Sequence, residues 1–282
     1  MKTFKKYTVI LNSTNKNPNN DNEFVYQFPT NVKFGANDKI GLEAISIYNS
    51  FFNISSDLQN NSIQITFRGD LYNFIIPDGN YSVSQLDYWL KSRMALNNLY
   101  LTTTTGDIVY FLELGTEPTR YAVTITAYPI PTSAQATNLG YTKPAGATWS
   151  YPATAETPLI TIQNKMSTLL GFNLGSYPST VQTTTQIFLS SSTPQLSPHN
   201  SIVLTCSLLF SKFSQLPTLL SSVPLDKGYG TLISNQYSNP ALINISAGYH
   251  NSIVISFYDQ KYKKLTVIDN DVIIRLIIEI ET

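Results

Sequence analysis

Residues 75–94, IIPDGNYSVSQLDYWLKSRM, hold the one strong helix signal in a chain otherwise written in strands and turns. Asp78-Gly79 follows an apolar pair and marks a tight turn, because glycine accepts positive φ and aspartate bonds its own backbone. Ser82 with Gln85 three residues on fits a capping box, and Tyr81 and Leu86 occupy the places of a hydrophobic staple. Val83, Leu86, Leu90 and Met94 recur at spacings of three and four, an apolar face of the kind a sheet covers. The helix therefore reads as the centre of a module set into a larger β-structure.

Around it the pattern changes from a period near four to a period of two. Ser62–Arg68 alternates Ile63, Ile65 and Phe67, Gly69-Asp70 marks a turn, and Leu71–Ile76 returns. Asp107–Leu114, Tyr121–Tyr128 and Gln186–Ser190 read as further strands, and Lys165–Leu170 as a short helix running into LLGF at 169–172. Residues 129–158, rich in Pro, Ala, Thr and Gly and containing Trp149 and Tyr151, read as a long loop, which in a compact domain is functional, interfacial or mobile.

Outside this middle, the spans 6–11, 24–28, 40–48, 201–210, 230–236, 241–246, 251–258 and 271–280 carry strand signals. Asn12–Asn22 is a polar loop, Pro29 ends the second span, and Ser214–Val223 reads as a short helix before Pro224. Eight antiparallel strands in two sheets is the jelly-roll count. The fold class is thus mainly β, a single eight-stranded jelly-roll sandwich with a large inserted β-rich domain containing one or two short helices. The boundaries fall at 1–55 with 195–282 for the sandwich and 56–194 for the insert. No repeat of propeller or solenoid length recurs.

Composition narrows the function. Charged residues are 13% of the 282, and eighteen basic residues balance eighteen acidic ones, so no general electrostatic pull toward nucleic acid or membrane exists. The single Cys206 allows no intramolecular disulfide. The start, MKTFKKYTVILNS, has a basic flank but too short an apolar core for a signal peptide, and no run reaches transmembrane length. Sequons at Asn12, Asn53, Asn60 and Asn244 reflect an asparagine-rich composition rather than glycosylation.

Candidate chemistry is sparse. His199 and His250 fall in loop-like stretches with no acidic partner at a diagnostic spacing, and no nucleophile elbow, zinc-protease helix, phosphate loop or dinucleotide fingerprint is present. No catalytic residue, cofactor site or metal ligand set is expected. Asp269-Asn270-Asp271 lacks the glycine and closing glutamate of a calcium loop and reads as a turn. Lys5-Lys6 and the KYKK of 261–264 read as solvated strand ends, with nucleic acid beneath a shell the weaker alternative. Two features suit receptor contact: Arg68-Gly69-Asp70, an RGD tripeptide in a turn, and the pair Trp149 and Tyr151, placed to stack on a sugar.

IPDGNYSVSQLDYWL, the later helix running into LLGF, and the closing DVIIRLIIEI together resemble the penton and minor capsid proteins of virophages and Polinton-like double-stranded DNA viruses. The resemblance spans most of the chain as pattern and order. It implies a non-enzymatic structural protein of the virion, assembled in the host cytoplasm. There a homopentamer fills the capsid vertex beside a major capsid protein with two jelly rolls, and the inserted domain projects outward. Minor capsid proteins, fibre proteins or a host receptor are further partners it admits, with no specific nucleic acid and no membrane. Few charges, eighteen tyrosines and long loops suit a heterologous interface between copies. The competing expectation is a jelly-roll or lectin-like attachment protein binding a glycan or host receptor, and an enzyme ranks third.

Overall fold

A computed structural model describes residues 3–212 and 214–282; Met1 and Lys2, part of the basic flank, and Phe213 lie outside the described residues. The chain divides into two compact units, Met1–Phe51 with His199–Thr282, and Phe52–Pro198.

The discontinuous unit opens with β1 (Phe4–Asn12), β2 (Glu23–Phe34) and β3 (Lys39–Tyr48). Val9 and Leu11 on β1, and Ile40, Leu42, Ile45 and Ile47 on β3, are buried. On β3 the alternation slips by one between Leu42 and Ile45, where the strand ladder is irregular, so Ile45 rather than Ala44 faces the core.

The second unit follows, with β4 (Ser62–Phe67), β5 (Asp70–Ile75), helix α1 (Val83–Leu96), β6 (Leu101–Thr102), β7 (Ile108–Val109), β8 (Leu112–Glu117) and β9 (Ala122–Ala127). Helix α2 (Ser133–Leu139), β10 (Leu159–Ile162), helix α3 (Met166–Leu170), β11 (Gly175–Tyr177) and β12 (Gln186–Leu189) complete it. It carries sheets ordered β11-β10-β4-β5 and β12-β9-β8, with β6 and β7 a separate pair. The α1 capping box forms as read: Ser82 Oγ accepts from Gln85 N at 3.2 Å, and Gln85 Oε1 accepts from Ser82 N at 2.8 Å. Val83, Leu86, Leu90 and Met94 are all buried, each contributing up to about 1.5–3 kcal/mol of transfer free energy. Asp87 ties the helix to the sheet, its Oδ1 accepting from Leu114 N at 2.8 Å.

The remaining strands are β13 (Ser201–Cys206), β14 (Leu219–Pro224), β15 (Leu232–Gln236), β16 (Ile243–Asn244), β17 (Gly248–Asp259) and β18 (Ile273–Glu281). They join β1–β3 in two sheets, β1-β18-β3-β15, with β16 also on β3, and β14-β13-β17-β2. With the two-residue β16 set aside, β13, β14, β15, β17 and β18 are fourth to eighth in the unit. Its sheet orders are then 1-8-3-6 and 5-4-7-2, two Greek keys forming a jelly roll. Side chains from both sheets, among them Phe24, Phe34, Phe257, Leu204 and Ile274, share one core.

Three local readings are corrected. Ser214–Val223 contains strand β14 rather than a helix: Ile202↔Val223 and Leu204↔Ser221 pair in register, and the partner strand decides a short apolar run that periodicity leaves open. Pro29 does not end β2. Pairing passes from Gln27↔Ser252 to Val32↔His250, so residues 28–31 bulge opposite Asn251, and proline on this edge strand forfeits no ladder bond. The 129–158 stretch contains α2, with Thr132 and Gln135 forming its own capping box and Gly140 its left-handed C-cap at φ 67. The second unit therefore has three α-helices, where the sequence pointed to one or two.

Candidate interaction surfaces

The outer face of the β1-β18-β3-β15 sheet is set by its register. Ile10 lies opposite Arg275, Ile273 opposite Ser46, and Tyr48 opposite Leu232, all pointing away from the core lined by Leu11, Ile274 and Ile47. Stepping diagonally between neighbouring strands, Ile10, Ile273, Tyr48 and Leu232 form an apolar band, exposed by 51%, 46%, 39% and 41%. Further along the face the chemistry turns polar, with Lys6 Nζ 3.0 Å from Glu279 Oε1 across the β1–β18 pair. Arg275, opposite Ile10 and 3.9 Å from Glu43 Oε2, places a charge beside the band, and exposed apolar side chains bordered by charged ones are a composition found at protein contact surfaces.

In the second unit, the sequence-selected residues Arg68, Trp149 and Tyr151 come together. β4 and β5 pair Phe67↔Asp70, so the turn is centred on Arg68 and Gly69, at φ 53 and 84, rather than on Gly69-Asp70. Positive φ at both positions is the type I′ hairpin geometry. Gly69 and Asp70 are exposed, but Arg68 turns back onto the 129–158 stretch, where Nε donates to Ser150 O at 2.8 Å and Nη1 binds Glu156 Oε1. Trp149 is only 4% exposed. Its ring centroid lies 5.3 Å from Phe67 and 5.6 Å from Tyr151, and its Nε1 donates to Asn98 O at 2.7 Å. Lys143 Nζ stands over both Trp149 and Tyr151, 5.3 and 5.4 Å from their centroids, and donates to Trp149 O at 2.9 Å. The indole thus packs inside the fold, its ring already in contact with protein groups, while the half-buried Tyr151 phenol has its pKa raised by desolvation.

The histidines sit in more structure than loop composition suggested. His250 lies on β17 against Phe34, with Nε2 3.0 Å from Ser246 O. His199 Nδ1 stands 3.8 Å from Asp259 Oδ2, a partner sixty residues away that sequence spacing does not reveal. Asp259 is itself committed, its Oδ1 accepting from Lys261 N and Lys263 N, both at 2.8 Å. Asp269, in the Asp269-Asn270-Asp271 turn, accepts from Tyr48 N at 2.7 Å and Asp271 N at 2.8 Å. Burial pushes the Cys206 thiol up to about 12, so it stays protonated at neutral pH. Among the described residues no group of three or more His, Cys, Asp or Glu is placed to hold a metal, and no helix is long and apolar enough to cross a membrane.

A jelly roll interrupted between its third and fourth strands by a β-rich unit, with an apolar band on one outer sheet face, is the class these features define. No family model matches the chain, and no curated protein matches it. Among solved structures it is similar to the crystal structure of the mavirus penton protein, at 11% identity and a TM-score of 0.46, with the alignment covering 100% of both chains.

Proposed function

We propose that this chain is a non-enzymatic structural capsid protein, the subunit of a pentameric vertex in an icosahedral virus particle. The observation that carries the reading is the apolar band Ile10–Ile273–Tyr48–Leu232 on an outer face of the jelly roll. Large side chains in a contiguous exposed band favour association, and a neutral chain opposes it little. Closing a ring of identical copies requires each to cover a different face of the next. The jelly-roll unit forms the capsid wall beside a larger shell protein with two jelly rolls. The 52–198 unit is carried on the particle's outer side, where minor capsid, fibre or receptor proteins reach it. Assembly takes place in the host cytoplasm, as for a virophage or a related virus.

The test is electron microscopy and native mass measurement of the chain, alone and co-expressed with such a shell protein. Five-membered rings or vertex incorporation are expected, both lost in the double variant Ile10→Asp, Ile273→Lys while the monomer keeps its unfolding midpoint. Wild-type particles that assemble without this chain at their vertices would refute the proposal.

A second reading, an attachment protein, draws on the exposed Gly69-Asp70 tip followed by the exposed Leu71. Cell binding lost on Asp70→Ala would favour it.

A further inference from the structure

The outward side of α1 carries a cleft of about 380 Å³ lined by Asn80, Tyr81, Ser84, Gln85, Tyr88, Trp89 and Ser92. Its form follows from helix geometry. At about 100° per residue, Gln85 and Ser92 fall on one line opposite the buried face, and Tyr88 and Trp89 stand about 50° to either side of it. Two aromatic walls thus flank a floor of amide and hydroxyl groups.

We propose that this cleft binds neutral saccharides. A sugar ring offers an apolar C–H face and a rim of hydroxyls, and the cleft supplies the matching parts: aromatic surface on its flanks, and Gln85 and Ser92 as polar partners, with the Ser84 hydroxyl 2.9 Å from that of Ser82 beside them. The cap uses Gln85 Oε1, which leaves its amide N–H donors to a hydroxyl. Tyr88 is 78% exposed, so its ring is open to a ligand. The Trp89 ring is held edge-on to Phe74, with centroids 6.3 Å apart, which fixes it as one wall of the cleft.

Charge argues for a neutral ligand. No carboxylate, ammonium or guanidinium lines the cleft. Two charged groups stand beside it and are engaged: the Arg93 guanidinium is stacked 5.4 Å from the Trp89 centroid, and Asp78 Oδ1 accepts from Ser56 N at 2.9 Å. Desolvation and then Asp78 raise the Tyr81 pKa, which keeps that phenol neutral. A second cleft, of about 370 Å³ between β7 and α2, makes the contrast. Val109, Phe111, Pro129, Pro131 and Leu139 line it with tyrosines and no amide, so it cannot read hydroxyls in the same way.

This inference stands apart from the capsid reading, since it concerns a site within one unit and is tested on the soluble chain without assembly. The experiment is saturation-transfer NMR followed by calorimetric titration of the full chain with lactose, maltose, cellobiose and chitobiose, with sialyllactose as the acidic comparison. At least one neutral disaccharide is expected to bind, with Tyr88→Ala weakening it by about tenfold or more and Tyr88→Phe retaining it. Because Tyr88 is exposed, its removal leaves the fold intact, which the unfolding midpoint verifies. No saturation transfer from any neutral disaccharide at about 10 mM, binding of the acidic sugar alone, or binding indifferent to Tyr88→Ala would each overturn the proposal.

Discussion

The guanidinium of Arg68 is bound to the carboxylate of Glu156, 88 residues further along the chain. That pair clasps the β4–β5 hairpin to the 129–158 stretch and takes the arginine of the RGD tripeptide into the fold. Its side chains are mostly covered, so the pair contributes more than a surface ion pair does. Arg68→Ala should therefore lose about 1–2 kcal/mol in urea unfolding, the cost of removing one partner of a charged hydrogen bond. A double-mutant cycle with Glu156→Gln checks the attribution; a coupling near zero would mean the two groups act separately.

Two glycines should respond differently to alanine. Gly171, the glycine of LLGF, sits at φ 77 as the C-cap of α3, and an added Cβ would meet Ser192 O at 2.1 Å. Gly69, at φ 84, would meet nothing within 4 Å. Gly69→Ala should lose only the left-handed backbone cost of about 1–2 kcal/mol. Gly171→Ala adds a backbone collision and should lose about 3 kcal/mol or more, read as the difference in urea midpoint.

Trp149 should behave as a core residue. Trp149→Ala is expected to lose about 3–5 kcal/mol, the range for deleting a large buried aromatic. Trp149→Phe should lose less, chiefly through the missing donor to Asn98 O. A loss of under about 1 kcal/mol for the alanine variant would mean the ring is not packed as described.

The buried thiol gives a pH dependence. Cys206 is held up to about 12 in the folded state, above its unfolded value near 9, so the unfolded chain releases this proton first. The unfolded state binds fewer protons in that window, and the contribution, complete below about pH 9, declines as pH rises toward 12, at up to about 1.4 kcal/mol per pH unit. Cys206→Ser should flatten that part of the curve. At pH 8 a thiol reagent should label the native chain only as fast as it opens, and labelling at the rate of a free thiol would contradict the burial.

Much of the jelly roll was legible because alternation is a local property. DVIIRLIIEI at 271–280 places apolar residues two apart and forms a strand with one face in the core. In IGLEAISIY at 40–48, by contrast, the alternation begun by Ile40 and Leu42 slips at a bulge, so that Ile45 and Ile47 face inward and Ala44 does not. Helix α1 was legible because its signals are local too: Ser82, Gln85 and the apolar residues they precede act within a few turns of one helix. Residues 219–224 did not carry their own answer, since LLSSVP suits either state until β13 lies beside it. Nor did Pro29, whose missing N–H matters only where a partner strand would accept it.

The candidate sites divide along the same line. Sequence alone selected Arg68, Trp149 and Tyr151 as chemically notable, and it set the class of fold through periodicity, capping and turn residues. Tertiary structure decided which of their atoms face solvent: it buried Trp149, engaged Arg68 with Glu156, and left Tyr88, Trp89 and Gln85 around an open cleft. It also aligned Ile10, Ile273, Tyr48 and Leu232, residues from four strands, into one band. Backbone preference acts between near neighbours and can be read from a string of residues. Exposure depends on what the rest of the chain brings alongside, which only the folded arrangement specifies.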